Sequence, residues 1–463
     1  MQYINNKVEN IKIAYIGGGS RGWAWGLMSD LATAKDISGE VALYDIDYNA
    51  AKANEIIGNK YNSCKEASTT WNYKAVNTIE DALTGADFVI ISILPGTFDE
   101  MASDVHTPEK YGIYQAVGDT SGPGGIVRAM RTIPMYEYIA EKIKNNCPKA
   151  WVISYTNPMT LCVKTLYRVF PQIKAFGCCH EVFGTQHLLA TVVGKYLGIP
   201  SPDRKDIKVK VTGVNHFTWL TSAKYQSIDI FPIYRQFVEE YGEIGFAQGN
   251  HDNWANNPFY NAQKVKMDLF RRYKYIAAAG DRHLAEFCEG KWYLESLERV
   301  KEMMFELTSV NWRKKDLEER LEKSRKLVSG ELDVSISCTG EEGVEQIRAL
   351  LGLRDLVTNV NIPNMGQIPN LPIGAVVETN AVFRVDSLEP VFTGNIPREI
   401  YPLISRVCGA QEQLSNAIAN RDVEDIFSVF INDPLVTCNI DDARKLFNEM
   451  IENTKKYLTD YNF

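Results

Sequence analysis

The chain has 463 residues, a formal net charge of −8, 45% hydrophobic residues and 23% charged residues. This length exceeds what one hydrophobic core supports, so we expect a globular enzyme of two domains. The acidic balance argues against nucleic acid or a membrane surface as a partner, and no apolar run is long enough to cross a bilayer. The nine cysteines include no C-x-x-C spacing, which predicts reduced thiols in a cytoplasmic protein.

The first predicted strand ends in a glycine-rich turn. Residues 12–22 read KIAYIGGGSRG, with glycines at G-x-G-x-x-G spacing between an apolar run and a helical stretch. Such glycines let the backbone approach a pyrophosphate, whose charge lies at the helix N-terminus. We therefore predict that Gly17, Gly19, Ser20 and Gly22 bind a dinucleotide.

The second predicted strand ends in Asp45, within the sequence VALYDID. A carboxylate at this place accepts hydrogen bonds from the adenosine ribose, and its charge disfavours a 2′-phosphate. Asp45 therefore predicts NAD+ rather than NADP+ as the cofactor.

Strand-like and helical segments alternate up to about residue 200. Strands are predicted at 12–16, 41–44, 87–91, 151–154 and 174–176, and helices at 50–62, 126–143 and 182–197. This alternation is typical of a parallel sheet covered on both faces. We therefore predict the α/β class, with a Rossmann-like, doubly wound NAD-binding domain over residues 1–200.

The pattern changes after residue 200. Residues 207–225 alternate like antiparallel strands and are interrupted at 213–216, and long charged helical stretches follow. We predict a C-terminal α+β domain over residues 201–463 that closes over the nucleotide site and serves substrate and metal binding and oligomerisation.

Polar residues follow the later predicted strands. Asn157 follows the strand at 151–154, Cys179 and His180 follow the strand at 174–176, and His216 ends a later strand. Ligands bind beyond the carboxyl ends of parallel strands, so we expect chemistry there. A thiolate and an imidazole suit a borderline divalent metal. At this spacing a cysteine and a histidine are more often a buried thiol and a hydrogen-bonded imidazole than metal ligands, and the residues alone leave both interpretations open for Cys179 and His216.

Two other segments are rich in polar groups. Asp119 lies in a glycine run at 118–125 before a helix that carries Arg128, and such a run can present backbone N–H groups to an anion or to sugar hydroxyls. Asp281, Arg282 and His283 offer a carboxylate, a cation and an imidazole side by side. Each segment is also consistent with an ordinary surface loop.

The motifs occur in an order that resembles glycoside hydrolase family four. They are GGGS, LYDID, GDTSGPGGIVRAMRTIP, SYTNPM, CHEV and GVNHF, and IPNLPIGAVVETNAVF extends the resemblance over nearly the whole chain. CHEV is similar to the branch that cleaves uronides. Phospho-glycosidases carry Cys-Asp or Cys-Asn there, and α-galactosidases and α-glucosidases carry Cys-His-Ser or Cys-His-Gly. The resemblance implies an α-galacturonidase, with an α-glucuronidase, or an α-glucosidase or α-galactosidase, as alternatives.

The resemblance also implies a redox elimination instead of the usual two-carboxylate hydrolysis. NAD+ takes a hydride from sugar carbon 3, the ketone acidifies the proton on carbon 2, the group on carbon 1 leaves, water adds, and the hydride returns. A divalent metal, expected to be Mn2+, stabilises the enolate.

The family's functional residues carry over position by position. Cys179 and His216 correspond to the metal ligands, and His180 corresponds to the group that protonates the leaving group. Asn157 and Asp119 correspond to substrate contacts, although many members have glutamate in place of Asp119.

The proton acceptor and the carboxylate-binding residue are less defined. Phospho-glycosidases use a tyrosine as the base, which this chain lacks, so we predict Asp281 with Tyr275 as the alternative. For the substrate carboxylate we consider Arg282 or Arg128, because guanidinium pairs bidentately with carboxylate.

Assembly and other functions complete the expectations. Family members form dimers or tetramers, so a homodimer or homotetramer is expected. An NAD-dependent dehydrogenase of the lactate/malate type, whose fold is similar, and a non-catalytic NAD sensor are the competing functions. The C-terminal half and CHEV fit the dehydrogenase poorly.

Overall fold

The computed structural model of the chain describes residues 1–247, 260–337 and 339–463. Its strands are β1 (Gln2–Ile4), β2 (Lys7–Ile16), β3 (Ile37–Tyr44), β4 (Trp71–Ala75), β5 (Phe88–Ile91), β6 (Trp151–Ser154), β7 (Lys174–Gly177), β8 (Ile207–Val214), β9 (Phe217–Tyr225), β10 (Ile228–Asp229), β11 (Ile276–Ala277), β12 (Leu356–Pro363), β13 (Val376–Arg384) and β14 (Ser387–Pro390).

Seventeen α-helices are described along the same residue ranges. They are α1 (Trp23–Thr33), α2 (Tyr48–Tyr61), α3 (Ile79–Leu83), α4 (Phe98–His106), α5 (Gly122–Asn146), α6 (Met159–Val169), α7 (Glu181–Leu197), α8 (Ile230–Tyr241), α9 (Lys264–Tyr273), α10 (Asp281–Phe287), α11 (Gly290–Tyr293), α12 (Leu297–Glu302), α13 (Val310–Ser329), α14 (Gly343–Leu350), α15 (Tyr401–Ala419), α16 (Val423–Ile431) and α17 (Ile440–Thr454). Short 3-10 helices occur at Pro108–Tyr111, Arg204–Asp206 and Lys455–Tyr457. None of the helices in the described ranges combines the length and the apolarity needed to cross a membrane.

The largest sheet in the described ranges has ten strands in the order β14-β13-β12-β7-β6-β5-β2-β3-β4, with β1 paired to β2. The six strands β4-β3-β2-β5-β6-β7 are parallel, which is the strand order of dinucleotide-binding folds. All five predicted N-terminal strands are present. The α/β, Rossmann-like fold class is therefore confirmed, and β4 is an additional edge strand that the pattern did not predict.

Both faces of this sheet are covered. Along β2, Ile13 and Tyr15 enter one buried cluster, whereas Ala14 and Ile16 enter another. Successive side chains of a strand point to opposite faces, so each cluster fills the space between one face and its helices. Burial on both faces explains why these strands are continuous apolar runs.

Residues beyond 201 contribute to two sheets. In the large sheet, β12 joins β7 through the antiparallel pair Asn361 and Gly177, and β13 and β14 follow. The second sheet contains β8 to β11, with β8 antiparallel to β9. Asn215 and His216 form the turn between β8 and β9, at the interruption predicted from the sequence.

The C-terminal helices hold the glycine-rich turn that precedes α5. Asp433, in the loop between α16 and α17, accepts hydrogen bonds from Gly122 N (3.1 Å) and Leu435 N (2.9 Å). Gly122 has a φ of 70°, a left-handed conformation that favours glycine. Burial raises the pKa of Asp433 to about 6. The turn that carries Asp119 is thus fixed by a carboxylate from the far end of the chain.

We predict that Asp433→Asn removes a pH-dependent part of the stability. Because burial raises the pKa of Asp433, the folded chain binds this proton more tightly than the unfolded chain, and its stability falls as the pH rises from about 4 to about 6. The wild type should lose free energy of unfolding relative to the variant over this interval and stay level above it. Urea unfolding across this pH range measures the difference, and a constant difference would contradict the assignment.

Candidate active site

The glycine turn after β2 leaves no room for side chains at Gly17 and Gly19. Gly17 has a φ of 92°, and a Cβ there would lie 2.0 Å from the carbonyl oxygen of Ser92. A Cβ on Gly19 would lie 2.8 Å from Asp45 Oδ2. At Gly22, a Cβ would meet only the guanidinium of Arg320. The turn ends at the N-terminus of α1, so it forms the cradle that a pyrophosphate requires.

Asp45 ends β3 beside this turn. Its Oδ2 accepts a hydrogen bond from Gly19 N (2.8 Å), and its Oδ1 accepts one from Asp47 N (2.9 Å). Each carboxylate oxygen has a second lone pair for a ribose hydroxyl. The geometry fits the predicted dinucleotide.

Asn54 of α2 is a residue that the motif search did not find. Its Nδ2 donates to Gly18 O (2.7 Å) and Ser20 O (2.9 Å), and its Oδ1 accepts from Trp25 Nε1 (2.8 Å). The side chain is completely buried. Asn54 of α2 therefore fixes the shape of the glycine turn. The sequence does not reveal this role, because Asn54 is distant from the turn along the chain.

A chain of hydrogen bonds joins the ends of three separate segments. Asn157, after β6, donates from Nδ2 to Asp119 Oδ2 (3.1 Å), and the Thr120 hydroxyl donates to Asp119 Oδ1 (2.7 Å). Thr120 Oγ1 also lies 3.0 Å from His216 Nδ1. Since the hydroxyl proton is given to Asp119, Thr120 accepts from His216 Nδ1–H, and His216 Nε2 keeps a free lone pair.

The charges around Asp119 keep it ionised. Burial would raise the pKa of Asp119, but neighbouring groups, including the guanidinium of Arg128, hold it below its ordinary value. Burial, followed by the neighbouring His283, lowers the pKa of His216 to about 3. His216 is therefore a neutral imidazole, the form that binds metals.

His283 of α10 lies against His216, with ring centroids 3.9 Å apart. Its Nε2 is 3.5 Å from Glu181 Oε1, and Glu181 Oε2 accepts from Gly280 N (2.8 Å). In the described part of the chain, His283 Nδ1 is buried without a hydrogen-bond partner. Ligand atoms of Asp119, His216 and His283 lie within 4.8 Å of one another, so these three can converge on one cation.

Cys179 follows β7 and is not a member of the group formed by Asp119, His216 and His283. Burial raises the pKa of the Cys179 thiol well above its ordinary value, and Glu378 and Glu181 raise it further. Asn215 Nδ2 donates to Glu378 Oε2 (3.3 Å), and Asn215 Oδ1 is buried with no partner among the described residues. A cation would stabilise the thiolate and pair with this oxygen. The sulfur, nitrogen and oxygen donors therefore fit a borderline divalent metal.

His180 lies at the rim of the site. Its side chain is 51% exposed, and its Nδ1 is 3.4 Å from Glu341 Oε1. The ring centroid lies 5.9 Å from that of Trp23, the first residue of α1. This position gives His180 access to a group that projects from the site toward solvent.

The remaining predicted residues lie in different surroundings. Asp281 is 0% exposed, and its oxygens accept from the first-turn N–H groups of α9, Val265 N (3.2 Å) and Lys266 N (3.0 Å). Arg282 donates to Ala116 O (2.9 Å), to Glu306 O (3.1 Å) and to the Thr308 hydroxyl. Tyr275 lines a surface cavity together with residues such as Thr221 and Lys274.

The fold and the site together define a Rossmann-like enzyme, with a glycine turn suited to a dinucleotide and donors suited to a divalent cation. Two family models match the chain. The family 4 glycosyl hydrolase model matches residues 12–195, and the model of the family 4 glycosyl hydrolase C-terminal domain matches residues 211–436. The chain belongs to glycosyl hydrolase family 4, which confirms the resemblance stated from the motifs.

Relatives named α-galacturonidase match nearly the whole chain. The α-galacturonidase of Thermoanaerobacterium saccharolyticum (strain DSM 8691 / JW/SL-YS485) is 61% identical over 458 residues, 99% of this chain and 98% of that protein. The α-galacturonidase of Bacillus subtilis (strain 168) is 50% identical over 445 residues, 96% of this chain and 98% of that protein.

Solved structures share the fold. A Bacillus subtilis protein with 50% identity has a TM-score of 0.91 and covers 96% of this chain and 100% of its own. The 6-phospho-β-glucosidase of Thermotoga maritima, solved with manganese, NAD+ and glucose-6-phosphate, is 20% identical, with a TM-score of 0.75 over 96% of this chain and 99% of its own.

We predict that His216→Asn weakens Mn2+ binding by more than about 100-fold, because a ligand contributes more than an outer-shell group, whose loss costs about 10- to 100-fold. Cys179→Ser should weaken binding by at least about 10-fold. Calorimetric or electron paramagnetic resonance titration with Mn2+ measures the dissociation constants. The exposed His187→Asn serves as the matched control. Unchanged binding in His216→Asn would contradict the site, and loss in His283→Asn but not in Cys179→Ser would exclude the thiolate.

Proposed function

We propose that this chain is an α-galacturonidase that releases galacturonate from α-linked galacturonides with NAD+ and a divalent metal, Mn2+. The observation that carries the proposal is 50–61% identity to four α-galacturonidases over 96–99% of the chain. The imidazole of His180 beside Cys179, which differs from the carboxylate or amide expected in phospho-glycosidases, supports the same substrate class.

The residues present fit both groups. Gly17, Gly19, Ser20 and Gly22 would hold the pyrophosphate of NAD+ and Asp45 its adenosine ribose, and Cys179 and His216 would hold the metal. When bound, NAD+ accepts and returns a hydride and the divalent metal acts as a Lewis acid.

Asn157 and Asp119 are proposed to orient the sugar. Asn157 Nδ2 donates a hydrogen bond to Asp119. Asn157 Oδ1 is buried and unpartnered within the described residues. A buried amide oxygen without a partner is costly, so a sugar hydroxyl that donates to it is stabilised there. Asp119 remains ionised and fixes the amide orientation.

His180 is proposed to hold the proton for the leaving group. Its exposed ring can reach an oxygen at the rim of the site, and Glu341 lies beside Nδ1. A carboxylate next to one ring nitrogen favours the proton on that nitrogen and defines the role of the other.

Two residues are candidates for the group that accepts the proton from sugar carbon 2. Asp281 stays our sequence-based prediction, but both of its oxygens accept backbone N–H groups of α9. His283 has an unpartnered, buried Nδ1 next to His216, and Glu181 lies 3.5 Å from its Nε2. These contacts favour His283 as the residue that moves this proton and Asp281 as the residue that holds α9.

Assembly and location belong to the same proposal. A homodimer or homotetramer is what the family implies. A cytoplasmic location is supported by the eight described cysteines, all of which are free thiols.

The first test is the reaction itself. With NAD+, Mn2+ and a thiol reductant, the protein should release 4-nitrophenol from 4-nitrophenyl α-galacturonide, lose activity with a chelator, regain it with Mn2+, and place solvent deuterium at carbon 2. Turnover without accumulation of NADH is expected because the hydride returns. Stoichiometric NADH would indicate a dehydrogenase, and faster cleavage of the α-glucuronide would indicate an α-glucuronidase.

The second test separates Asp281 from His283. Asp281→Asn should lower the free energy of unfolding by about 1–3 kcal/mol, since one α9 N–H group loses its acceptor, and should change kcat little. His283→Gln should lower kcat by about 10²- to 10⁴-fold and abolish deuterium exchange at carbon 2 without comparable destabilisation. Urea unfolding and mass spectrometry of the product measure both. The opposite pattern would restore Asp281 as the proton acceptor.

A further inference from the structure

Three arginines surround Asp119. Arg128 of α5, Arg282 of α10 and Arg313 of α13 each interact electrostatically with its carboxylate. The oxygens of Asp119 already accept from Thr120 and Asn157. The arginines also interact with other carboxylates, which are Asp104 for Arg128, Glu286 and Glu181 for Arg282, and Asp316 for Arg313. Three guanidinium groups therefore lie close to the proposed sugar contacts.

Arg282 is fully engaged by the protein. It donates to Ala116 O (2.9 Å), to Glu306 O (3.1 Å) and to the Thr308 hydroxyl. These bonds tie α10 to the segments around Ala116 and Thr308. Arg282 thus adds charge to the region but has fewer donors to offer a ligand than its two neighbours.

Arg128 is 5% exposed and lies beside Asn157. Its Nε donates to Asn157 O (3.2 Å), whereas its Nη1 is buried and has no partner within the ranges that the structure describes. The guanidinium therefore keeps one free donor while another of its nitrogens is bonded to Asn157.

Arg313 enters the same region from the first turn of α13. The Ser309 hydroxyl caps this turn by accepting from Trp312 N (3.1 Å), and His106 Nε2 accepts from Val310 N (3.2 Å). Arg313 Nε is buried and, like Arg128 Nη1, lacks a partner in the described chain. These two hydrogen bonds fix the backbone of the turn that carries Arg313.

Arg131 shows how the same fold treats an arginine that is purely structural. It is buried one turn after Arg128 on α5, and it pairs with Asp104 through both terminal nitrogens. A buried guanidinium without such a partner carries a large desolvation penalty. Arg128 Nη1 and Arg313 Nε, which lack a partner among the described residues, are therefore suited to an anionic ligand.

We propose that Arg128 and Arg313 form the subsite that binds the carboxylate of the uronate. The inference rests on the proposed function and deepens it, because it names the groups that select a uronide over a neutral glycoside. A planar carboxylate matches the fork of donors that guanidinium presents. Arg313 is a residue that the motif order did not suggest, and Arg282 serves to position α10.

The test compares 4-nitrophenyl α-galacturonide with its methyl ester, which has the same shape without the charge. Arg313→Gln should lower kcat/KM for the acid by about 10- to 100-fold, mostly through KM, because a charge-assisted hydrogen bond is lost. The ester should change by less than about twofold. Arg313→Lys should recover part of the loss, since it keeps the charge without the fork. Arg128→Gln should likewise lower kcat/KM for the acid and leave kcat/KM for the ester nearly unchanged.

Controls separate this subsite from other roles. Arg325 forms an exposed ion pair with Glu322 on the same helix. Arg325→Gln should leave kcat and KM unchanged for both substrates. An equal loss on acid and ester would overturn the proposal in favour of a structural role, and a weaker dissociation constant for NAD+ would assign Arg313 to the cofactor phosphates. If the wild type cleaves neither substrate, the proposed function fails. Calorimetry with galacturonate then decides the subsite, with binding at least about 10-fold weaker in Arg313→Gln supporting it and equal binding overturning it.

Discussion

The buried hydrogen-bond chain from Asn157 through Asp119 and Thr120 to His216 is the interaction on which the site depends. It joins the end of β6, the glycine-rich turn before α5 and the turn between β8 and β9. In a region of low dielectric each bond constrains the next, because an unpaired polar group would be costly. The carboxylate of Asp119 therefore fixes the orientation of the Asn157 amide directly and that of the His216 imidazole through Thr120.

The sheet supplies the frame for this arrangement. Parallel strands bring the ends of β2, β3, β6 and β7 to one edge, where the glycine turn, Asp45, Asn157 and Cys179 lie. The antiparallel extension then adds Glu378 and Asn359, whose side chains hydrogen-bond to each other, and Asn359 Nδ2 also donates to Cys179 O (3.2 Å). The C-terminal half thus holds the backbone of Cys179 through Asn359, and its helices fix the glycine-rich turn that precedes α5.

The fold could be predicted because its signals are local. The glycine spacing and Asp45 lie within 30 residues of each other, and apolar runs mark strands that are buried on both faces. The family motifs also predict His216 and Cys179 as metal ligands, and this stays a prediction. The contacts around these two residues could not be predicted. Glu181 meets His283, and Asp119 meets Arg313, only through tertiary packing. Asp281 illustrates the limit, since its position beside His283 suggested chemistry, whereas its contacts are with the first turn of α9.

The central claim is that His216, held by Thr120, marks the cation site beside the nicotinamide end of the dinucleotide site. Anomalous diffraction at the manganese edge, from crystals grown with Mn2+ and NAD+, tests it most directly. The account predicts one strong peak in bonding contact with the His216 imidazole, completed by the Cys179 sulfur. A manganese ion bound elsewhere, with no peak at His216, would contradict it.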